Sequence, residues 1–517
     1  MDIKDDLERI AKGEILSDSW STEIYSVDAS NYKIRPSLIV CPESEDDIQE
    51  VCRYCFSKNV PLTARGAGTG LLGQSLSDSV LIDFTKHMNK ISEIADDYVI
   101  IEPGIVKGVL DRELKKKGKF LPPDPASSNY CTIGGMIANN SSGSHCLSYG
   151  NTIDFLKEIR VTYSDGSSGL LGDIKRTATG ELGNDANGRL MKSLFELLCD
   201  HSVAIKEHYP QVSKNSCGYR LDALINDDYF SPQKIFAASE GTLGIVTSAK
   251  MKIIDIPMYR HLLVLGFENL LSAVYVVPLI LQSNPTALEL LDHSVFSFQE
   301  ITQGTGNNNT VTDSIDCLLF VEFAGDDLTD IEINAKSCLN KLSYRCAIIE
   351  SVADEQSIVR IWQARKNALN RIMKLTIGSR KPIGLIEDTV VSPYLLYEYT
   401  QYLQQIYARY KLDYVIYGHA GDGNLHTRPL MDVNSKSEIE LLQNLAQDVF
   451  NKVVRSGGTI TGEHGDGLAR TRYIEYMYAG EIVSLFKEVK KLFDPKFIMN
   501  PGKKVIRSRF TDLNFEV

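Results

Sequence analysis

The sequence feature that most limits the possible folds of this chain is a glycine-rich segment between two apolar runs. The segment RGAGTGLLGQS occupies residues 65–75, after an apolar run at 60–64 and before another at 80–83. Its glycines match the dinucleotide fingerprint of a strand-helix-strand unit, but residues 74–79 are too few for the crossover helix of that unit. The segment instead predicts a loop whose backbone N–H groups approach an anion such as a pyrophosphate, with Arg65 adding positive charge. A plain glycine turn is the alternative for this loop taken alone.

Two further glycine-flanked segments concentrate imidazoles and carboxylates. GHAGDGNLH spans residues 418–426 and GEHGDG spans 462–467, so three of the nine histidines lie there. His419 and His426 can converge on one ion across a tight turn, and Glu463 can add a carboxylate ligand. Two nitrogens and one oxygen suit Zn²⁺, with Mn²⁺, Fe²⁺ or Co²⁺ as alternatives, and His464 remains as a base. The competing interpretation is that these histidines only form hydrogen bonds within turns.

Length and pattern predict more than one domain. The chain has 517 residues, whereas single cores stop growing near roughly 250–300 residues. Residues 38–252 alternate strands, short helices and glycine turns, which is typical of an α+β fold that holds a ligand in loops. From residue 260 the strands and helices follow a ferredoxin-like rhythm. We expect domains at 1–255 and 256–455, the second holding the first histidine segment, and a C-terminal helical segment at 456–517.

Several local expectations accompany this division. The polar tract at residues 302–313 predicts a surface loop. The apolar run at 383–391 predicts a strand, the stretch 393–411 a helix, and residues 414–417 and 425–429 two strands around the first histidine segment.

Composition excludes several classes of protein. The formal net charge of -12 argues against a nucleic-acid surface. The N-terminus lacks the basic and apolar regions of a secretion signal, and the most apolar stretch, 262–282, is interrupted by polar residues and a proline. The ten cysteines follow neither a disulfide framework nor a ferredoxin-type cluster pattern. We expect a cytoplasmic protein with no transmembrane segment and no iron-sulfur cluster.

More segments, taken with the loop at Arg65, carry a resemblance to a known family. They are IEPG at 101–104, LPPDP at 121–125, CTIGGMIANNSSG at 131–143 and ASEGTLGIV at 238–246. Together they resemble the FAD-binding domain of the vanillyl-alcohol-oxidase/p-cresol-methylhydroxylase flavoproteins. Through KNSCGY at 214–219, both histidine segments and FDPKFIMNPG at 493–502, the chain looks like the branch of D-lactate, glycolate and D-2-hydroxyglutarate dehydrogenases. Within that branch it is most similar to the flavin half of large oxidases fused to iron-sulfur domains, and we expect it to end before such a domain.

The resemblance implies a two-subdomain FAD-binding fold, a ferredoxin-like α+β substrate or cap domain, and FAD held without a covalent link. His145 lies close to the flavin loop, and we interpret it as structural rather than as a flavin attachment point. The residues that the resemblance assigns to FAD binding are Arg65, Gly66, Ala67, Gly68, Thr69, Gly70, Gln74, Ser75, Pro103, Gly104, Pro123, Asp124, Thr132, Gly134, Gly135, Asn139, Ser142, Gly143, Glu240, Gly244, Ile245, Val246 and Asn500.

The resemblance also implies roles at the reacting centre. His419, His426 and Glu463 match the positions that hold the metal in 2-hydroxyglutarate-type relatives, and His464 matches the base. Arg365 matches the arginine that grips the substrate carboxylate, a solvated helix arginine being the alternative.

Four other positions carry weaker expectations. Lys381 is a weaker candidate for the carboxylate clamp because its spacing to the IEDT motif at residues 386–389 departs from the pattern. Arg428 stands where relatives carry asparagine; it favours a substrate with a second carboxylate, and a salt bridge within the protein is the alternative. Asp422 and Asp466 are expected to be turn residues or partners of the histidines.

These observations predict an FAD-dependent, metal-assisted dehydrogenase. It would oxidise a D-2-hydroxy acid, D-2-hydroxyglutarate or D-lactate, to the 2-oxo acid. Electrons would pass to an electron-transfer flavoprotein, an iron-sulfur subunit or a quinone. The alternatives are an oxygen-using 2-hydroxy-acid (glycolate) oxidase, a non-catalytic flavin subunit of an iron-sulfur complex, and a metal-binding module without flavin. A homodimer and peripheral membrane contact are compatible with the sequence.

Overall fold

The computed structural model describes residues 3–292, 301 and 314–505 of the chain. The polar loop expected at 302–313 lies outside the described residues. None of the helices among the described residues is both long enough and apolar enough to cross a membrane.

The N-terminal half is built on two sheets. Its strands are β1 (Glu14–Leu16), β2 (Leu38–Cys41), β3 (Leu62–Arg65), β4 (Val80–Asp83), β5 (Ile91–Ile94), β6 (Tyr98–Ile101), β7 (Lys119–Phe120), β8 (Leu156–Thr162), β9 (Ser168–Gly172), β10 (Ile174–Lys175), β11 (Tyr229–Phe230), β12 (Ile245–Lys252) and β13 (Ile254–Asp255). The first sheet has the order β1-β2-β4-β3, with β4 parallel to both β2 and β3. The second is antiparallel in the order β5-β6-β12-β8-β9.

Helices cover these sheets and are capped by residues that the sequence supplies. They are α1 (Ile3–Ile10), α2 (Ser19–Ile24), α3 (Glu45–Lys58), α4 (Lys107–Lys115), α5 (Ile133–Asn139), α6 (Cys146–Tyr149), α7 (Ala186–Asp200) and α8 (Ser202–His208). In α3, Ser44 accepts the backbone N–H of Asp47 at the start, and Asn59 ends the helix in the left-handed conformation. Thr132 caps α5 by accepting the N–H of Gly135, which fixes the start of that helix beside the glycine loop.

The C-terminal half is dominated by one antiparallel sheet. Its strands are β14 (Tyr259–Phe267), β15 (Ala287–Asp292), β16 (Cys317–Gly325), β17 (Ala347–Val352), β18 (Lys381–Pro382), β19 (Thr389–Val390), β20 (Tyr414–His419) and β21 (Asn424–Met431). The order is β17-β14-β16-β15-β20-β21-β18, and β19 pairs with β21. The run β17-β14-β16-β15 is the strand order of a ferredoxin-like fold, and β20 and β21 extend that sheet toward the first histidine segment.

Helices pack against this sheet and continue into the C-terminal segment. They are α9 (Leu270–Tyr275), α10 (Val277–Leu281), α11 (Leu328–Leu342), α12 (Glu355–Lys374), α13 (Leu396–Tyr410), α14 (Lys436–Arg455), α15 (Gly467–Arg470), α16 (Ile474–Met477) and α17 (Gly480–Phe493). Apolar side chains of α12, among them Ile358 and Ile361, form a buried cluster with Leu262 and Phe320 of the sheet. Helix α12 therefore packs on the sheet through its apolar side chains.

The C-terminal segment returns to the N-terminal half. Helix α17 contacts α7 and α8, and Met499 forms a parallel bridge with Leu62 of β3. A continuous hydrophobic core contains residues from both halves. The division at residues 255 and 455 stays a prediction.

The expected strand at residues 383–391 is wrong for most of its length. Only Thr389–Val390 are paired as a strand in this range. Asp388 has a φ of 67°, in the left-handed region, which breaks an extended run. Its carboxylate accepts the backbone N–H groups of Gly462, Glu463 and His464, so the break serves the second histidine segment.

Candidate active site

A cavity of about 570 Å³ lies where the two halves meet. This volume is within the usual range of roughly 300–1,000 Å³ for small-molecule and cofactor sites. Its walls come from the glycine loop, the start of α5, β12, α12 and both histidine segments. The predicted residues that line it are Arg65, Gly66, Ala67, Gly68, Thr69, Gly70, Gln74, Ser75, Pro103, Asp124, Thr132, Gly134, Gly135, Asn139, Glu240, Gly244, Ile245, Val246, Arg365, His419, His426, Glu463 and His464.

The glycine loop forms an open cradle at one end of this cavity. Gly68 has a φ of +67°, and a Cβ there would lie 2.5 Å from Nη2 of Arg65, so the position requires glycine. The guanidinium of Arg65 donates to the carbonyls of Tyr25 and Val27, which holds its charge beside the loop. Backbone and charge together fit an anionic group such as a pyrophosphate.

Five predicted FAD residues lie behind the lining residues, namely Gly104, Pro123, Ser142, Gly143 and Asn500. Asn500 donates to the carbonyls of Gln74, at 2.9 Å, and Glu240, at 2.6 Å. Ser142 donates to Oε2 of Glu463 at 2.5 Å. These two side chains therefore support the cavity wall.

Glu240 lines the cavity, but its carboxylate is bound to protein groups. It accepts the backbone N–H groups of Asp466 and Gly467, and Oε1 lies 3.2 Å from Nζ of Lys504. Asp466 in turn accepts from Gly218 and Lys504. Asp466 thus binds groups far from its own turn, and its expected role in the turn or beside the histidines stays a prediction.

The structure brings the predicted metal residues to one point. Nε2 of His419 lies 2.7 Å from Oε1 of Glu463, and Nε2 of His426 lies 3.6 Å from the same oxygen. Burial lowers the pKa of His426 to about 4, so its ring is neutral. Burial would raise the pKa of Glu463, but Lys214 and His419 outweigh it and hold that pKa well below its usual range. A neutral imidazole and an ionised carboxylate are what a divalent cation binds.

A different group of side chains also lies close enough to share an ion. Ligand atoms of Asp388, His426, Glu463 and His464 all lie within 4.8 Å of one another. Both oxygens of Asp388, however, accept protein N–H groups, from Asn424 at Oδ1 and from the second histidine segment at Oδ2. Nε2 of His419 is likewise bonded, to Glu463, so the two possible ligand sets overlap and share His426 and Glu463.

Glu289, on β15, is a residue of the site that the sequence did not single out. Its Oε1 lies 2.5 Å from Nδ1 of His419, while Oε2 accepts from Nε and Nη2 of Arg365 at 3.1 and 2.6 Å. Burial would raise its pKa, but His419 and Arg365 bring the pKa of Glu289 to about 2. Burial would lower the pKa of His419, yet Glu289 raises it to about 9. A charged residue inside an apolar strand was the only signal in the sequence.

Lys214, in the motif at residues 214–219, is a second such residue. It is fully buried, and Nζ lies 3.1 Å from Oε2 of Glu463 and 3.2 Å from the carbonyl of Gly143. Lys214 thus neutralises the carboxylate from the side opposite the histidines.

His464, the predicted base, stands beside the other two histidines. Its ring stacks on that of His426 at 4.8 Å, and Nδ1 lies 3.3 Å from Oε1 of Glu387. Burial would lower its pKa, but Asp388 and Glu387 outweigh it and raise the pKa of His464. Glu387 therefore orients the ring and strengthens it as a base.

Arg428 and Lys381 are not brought into this cavity. The guanidinium of Arg428 is buried and ion-paired with Glu387, and it lies on a separate cavity of about 20 Å³. Lys381 is exposed on the edge strand β18. The salt-bridge alternative thus describes Arg428, and its charge is already balanced by Glu387.

Comparison with known proteins agrees with this geometry. Residues 36–168 match the FAD binding domain family, and residues 256–504 match the family of FAD linked oxidases, C-terminal domain. The chain is 30% identical to the glycolate oxidase subunit GlcD of Bacillus subtilis, covering 97% of this chain and 96% of that protein. The chain belongs to the FAD-linked oxidase family. The predicted resemblance is confirmed.

Other similarities place the chain within this family of FAD-linked oxidases. It is 29% identical to the D-2-hydroxyglutarate dehydrogenase of Haemophilus influenzae over 97% of this chain and 51% of that protein. The chain thus spans about half the length of this relative. A solved structure of p-cresol methylhydroxylase with substrate bound has a TM-score of 0.64 at 15% identity, covering 95% and 94% of the two chains. The predicted fold class is confirmed, and the FAD-binding domain contains the glycine loop and the start of α5.

Proposed function

We propose that this FAD-linked oxidase family member is a metal-assisted dehydrogenase that oxidises a D-2-hydroxy acid to the 2-oxo acid. The observation that carries the proposal is the approach of His419 Nε2 and His426 Nε2 to one oxygen of Glu463, at 2.7 and 3.6 Å, in the wall of the FAD cavity. Its relatives include proteins named D-2-hydroxyglutarate dehydrogenase and D-lactate dehydrogenase.

The reaction removes a proton from the hydroxyl oxygen and a hydride from C2. FAD, held without a covalent link, supplies the hydride acceptor when it is bound. His419, His426 and Glu463 would hold a divalent cation, with Zn²⁺ as our choice, and such an ion lowers the pKa of a bound hydroxyl. The rest of the chemistry belongs to side chains of this chain.

His464 takes the hydroxyl proton. Its Nδ1 is held 3.3 Å from Oε1 of Glu387, so Nε2 is the nitrogen left to accept a proton. Stacking on His426 keeps the ring beside the metal residues.

Arg365 holds the substrate carboxylate. Arg365 lines the cavity, and Glu289 accepts from Nε and Nη2 of its guanidinium, so Nη1 is the nitrogen that would donate to the substrate. Because Arg428 lies outside the lining of the FAD cavity, it gives no preference for a second carboxylate. D-2-hydroxyglutarate and D-lactate are therefore both proposed as substrates.

Anaerobic bleaching of the flavin tests the proposal. The protein is loaded with FAD and Zn²⁺ and mixed without oxygen with the D and L forms of 2-hydroxyglutarate and lactate, and with glycolate. We expect a D-2-hydroxy acid to bleach the visible flavin absorbance, and His464→Ala to keep its FAD and metal without bleaching. Retention of the oxidised spectrum with every acid would reject the proposal in favour of a non-catalytic flavin subunit.

The electron acceptor forms part of the proposal. We infer that the reduced flavin passes electrons to a separate electron-transfer flavoprotein, iron-sulfur subunit or quinone, in the cytoplasm. The relative named as a glycolate oxidase subunit favours a second candidate, an oxygen-using 2-hydroxy-acid oxidase. Mixing the bleached protein with air separates the two, since an oxidase regains its colour within the time of one turnover.

A further inference from the structure

An ion network joins the FAD-binding half to the sheet of the C-terminal half. His145 immediately precedes α6, and its Nδ1 lies 2.7 Å from Oδ2 of Asp124, which lines the cavity. Its Nε2 lies 3.0 Å from Oε1 of Glu322, in the middle of β16. One imidazole ring thus connects a carboxylate of each half.

The second oxygen of Glu322 holds helix α12. Oε2 accepts the indole N–H of Trp362 at 2.7 Å and Nη2 of Arg260 at 2.6 Å. Trp362 is three residues before Arg365 on α12, and its ring centroid lies 5.2 Å from that of His145. Arg260 also lies 3.4 Å from Glu355, at the start of the same helix. The network therefore reaches α12 at two points.

The charge of His145 holds the network together. Burial would lower the pKa of His145, but Asp124 and Glu322 outweigh it and raise the pKa to about 10. The positive ring then compensates two carboxylates that are largely withdrawn from water. Removing the ring takes away the ion-pair partner of Asp124 and leaves Glu322 with Arg260 as its ion-pair partner, so the ring no longer holds the two carboxylates together across the two halves.

We propose that His145 is a positioning residue that fixes helix α12, and with it Arg365, at the wall of the flavin cavity. The inference rests on the proposed oxidation of 2-hydroxy acids. Helix α12 presents Gln363, Arg365, Lys366 and Asn367 to the cavity, so a displaced helix moves this part of the wall as one piece. Loss of His145 weakens substrate binding and leaves the FAD cradle of the other half in place.

Because the chain has two tryptophans and one of them, Trp362, lies on α12, fluorescence can report on the position of this helix. Trp20 is 80% exposed, so Trp20→Phe is tolerated and leaves Trp362 as the only indole. In that background we compare the parent with His145→Gln, His145→Asn and the control His201→Gln. His201 also binds a carboxylate, Glu481 at 3.0 Å, but at the surface of the N-terminal half.

We measure FAD content, Trp362 emission, and anaerobic flavin bleaching against D-2-hydroxyglutarate and D-lactate concentration. For His145→Gln we expect parental FAD content and a brighter, red-shifted emission, because the quenching imidazolium is lost and α12 becomes more exposed. The half-saturating substrate concentration should rise about tenfold, with the limiting bleaching rate changed by less than about threefold. His201→Gln should match the parent.

Parental emission and half-saturation in His145→Gln would overturn the proposal, as would a loss of activity that only follows lost FAD. If His145→Gln does not fold, His145→Asn decides by the same measurements, because it removes the same charge with a smaller side chain. If no 2-hydroxy acid bleaches the parent, the proposed function fails, while the emission of Trp362 still reports whether His145 fixes α12.

Discussion

The carboxylate of Glu289 lies 2.5 Å from Nδ1 of His419, on the far side of the ring from Glu463. A carboxylate behind a metal-binding histidine fixes which ring nitrogen faces the ion and makes that nitrogen more basic. The other oxygen of Glu289 accepts from Arg365, so a single buried side chain orients a predicted metal ligand and the predicted substrate clamp.

Replacing Glu289 by glutamine should weaken metal binding while FAD stays bound. The amide cannot support the protonated Nδ1 of His419 as a carboxylate does, and we expect a loss of metal affinity of about 10-fold to 100-fold. Metal titration followed by elemental analysis checks this. Glu113→Gln is the control, since Glu113 pairs with Lys116 at the surface. Unchanged affinity in Glu289→Gln would show that His419 is not a ligand.

Substitutions of His464 and His426 should differ in their effects on flavin reduction and on metal binding. His464→Ala is expected to retain FAD and metal but to slow flavin reduction by roughly 10²-fold to 10⁴-fold, the contribution of a general base. His426→Ala is expected to lose the metal as well. Rapid-mixing absorbance and metal content measure the two effects. Normal reduction by His464→Ala would remove the assigned base.

Arg428→Met should reduce stability without changing substrate preference. It removes the arginine partner of the buried Glu387, which costs about 3–5 kcal/mol. Urea denaturation measures the loss, and Arg380→Met serves as the control because Arg380 pairs with Glu438 near the surface and should lose at most about 1 kcal/mol. A selective loss of D-2-hydroxyglutarate oxidation over D-lactate oxidation would instead restore a substrate role for Arg428.

The contribution of His145 to the free energy of unfolding should disappear at alkaline pH. The pKa of His145 is raised from 6.5 to about 10 in the folded protein, so its contribution is fully present below 6.5 and is lost as the pH rises through about 10. The difference in unfolding free energy between the parent and His145→Gln should be large at about pH 6 and small at about pH 10.5. Denaturant titrations at both values check the trend. A difference that grows with pH would mean that the ring is neutral in the folded state.

The sequence predicted the elements whose signals are local. The apolar run at 80–83 is strand β4, and the glycine loop follows β3 without a crossover helix. The strand expected at 383–391 is wrong because most of its hydrophobic residues are buried in the core without pairing as a strand. Asp388 turns the backbone within this run. That turn is set by amides some seventy positions further along, which no local pattern encodes.

The candidate site was likewise predictable from the sequence only where the signals are local. Glycine spacing and residue type predicted the meeting of His419, His426 and Glu463, because tight turns limit where their side chains point. The partners of the charged residues depend on tertiary packing: Glu289 for Arg365, and Glu387 for Arg428. An arginine on a helix or strand looks the same in the sequence whether it meets a substrate or a buried carboxylate.

Asn500 bonds to the side chain of Thr63 across a separation of 437 residues, and also to the carbonyls of Gln74 and Glu240. During synthesis the N-terminal half therefore emerges before Asn500 can form these bonds. Closing so large a loop is entropically slow, so cofactor capture should be a late event in maturation.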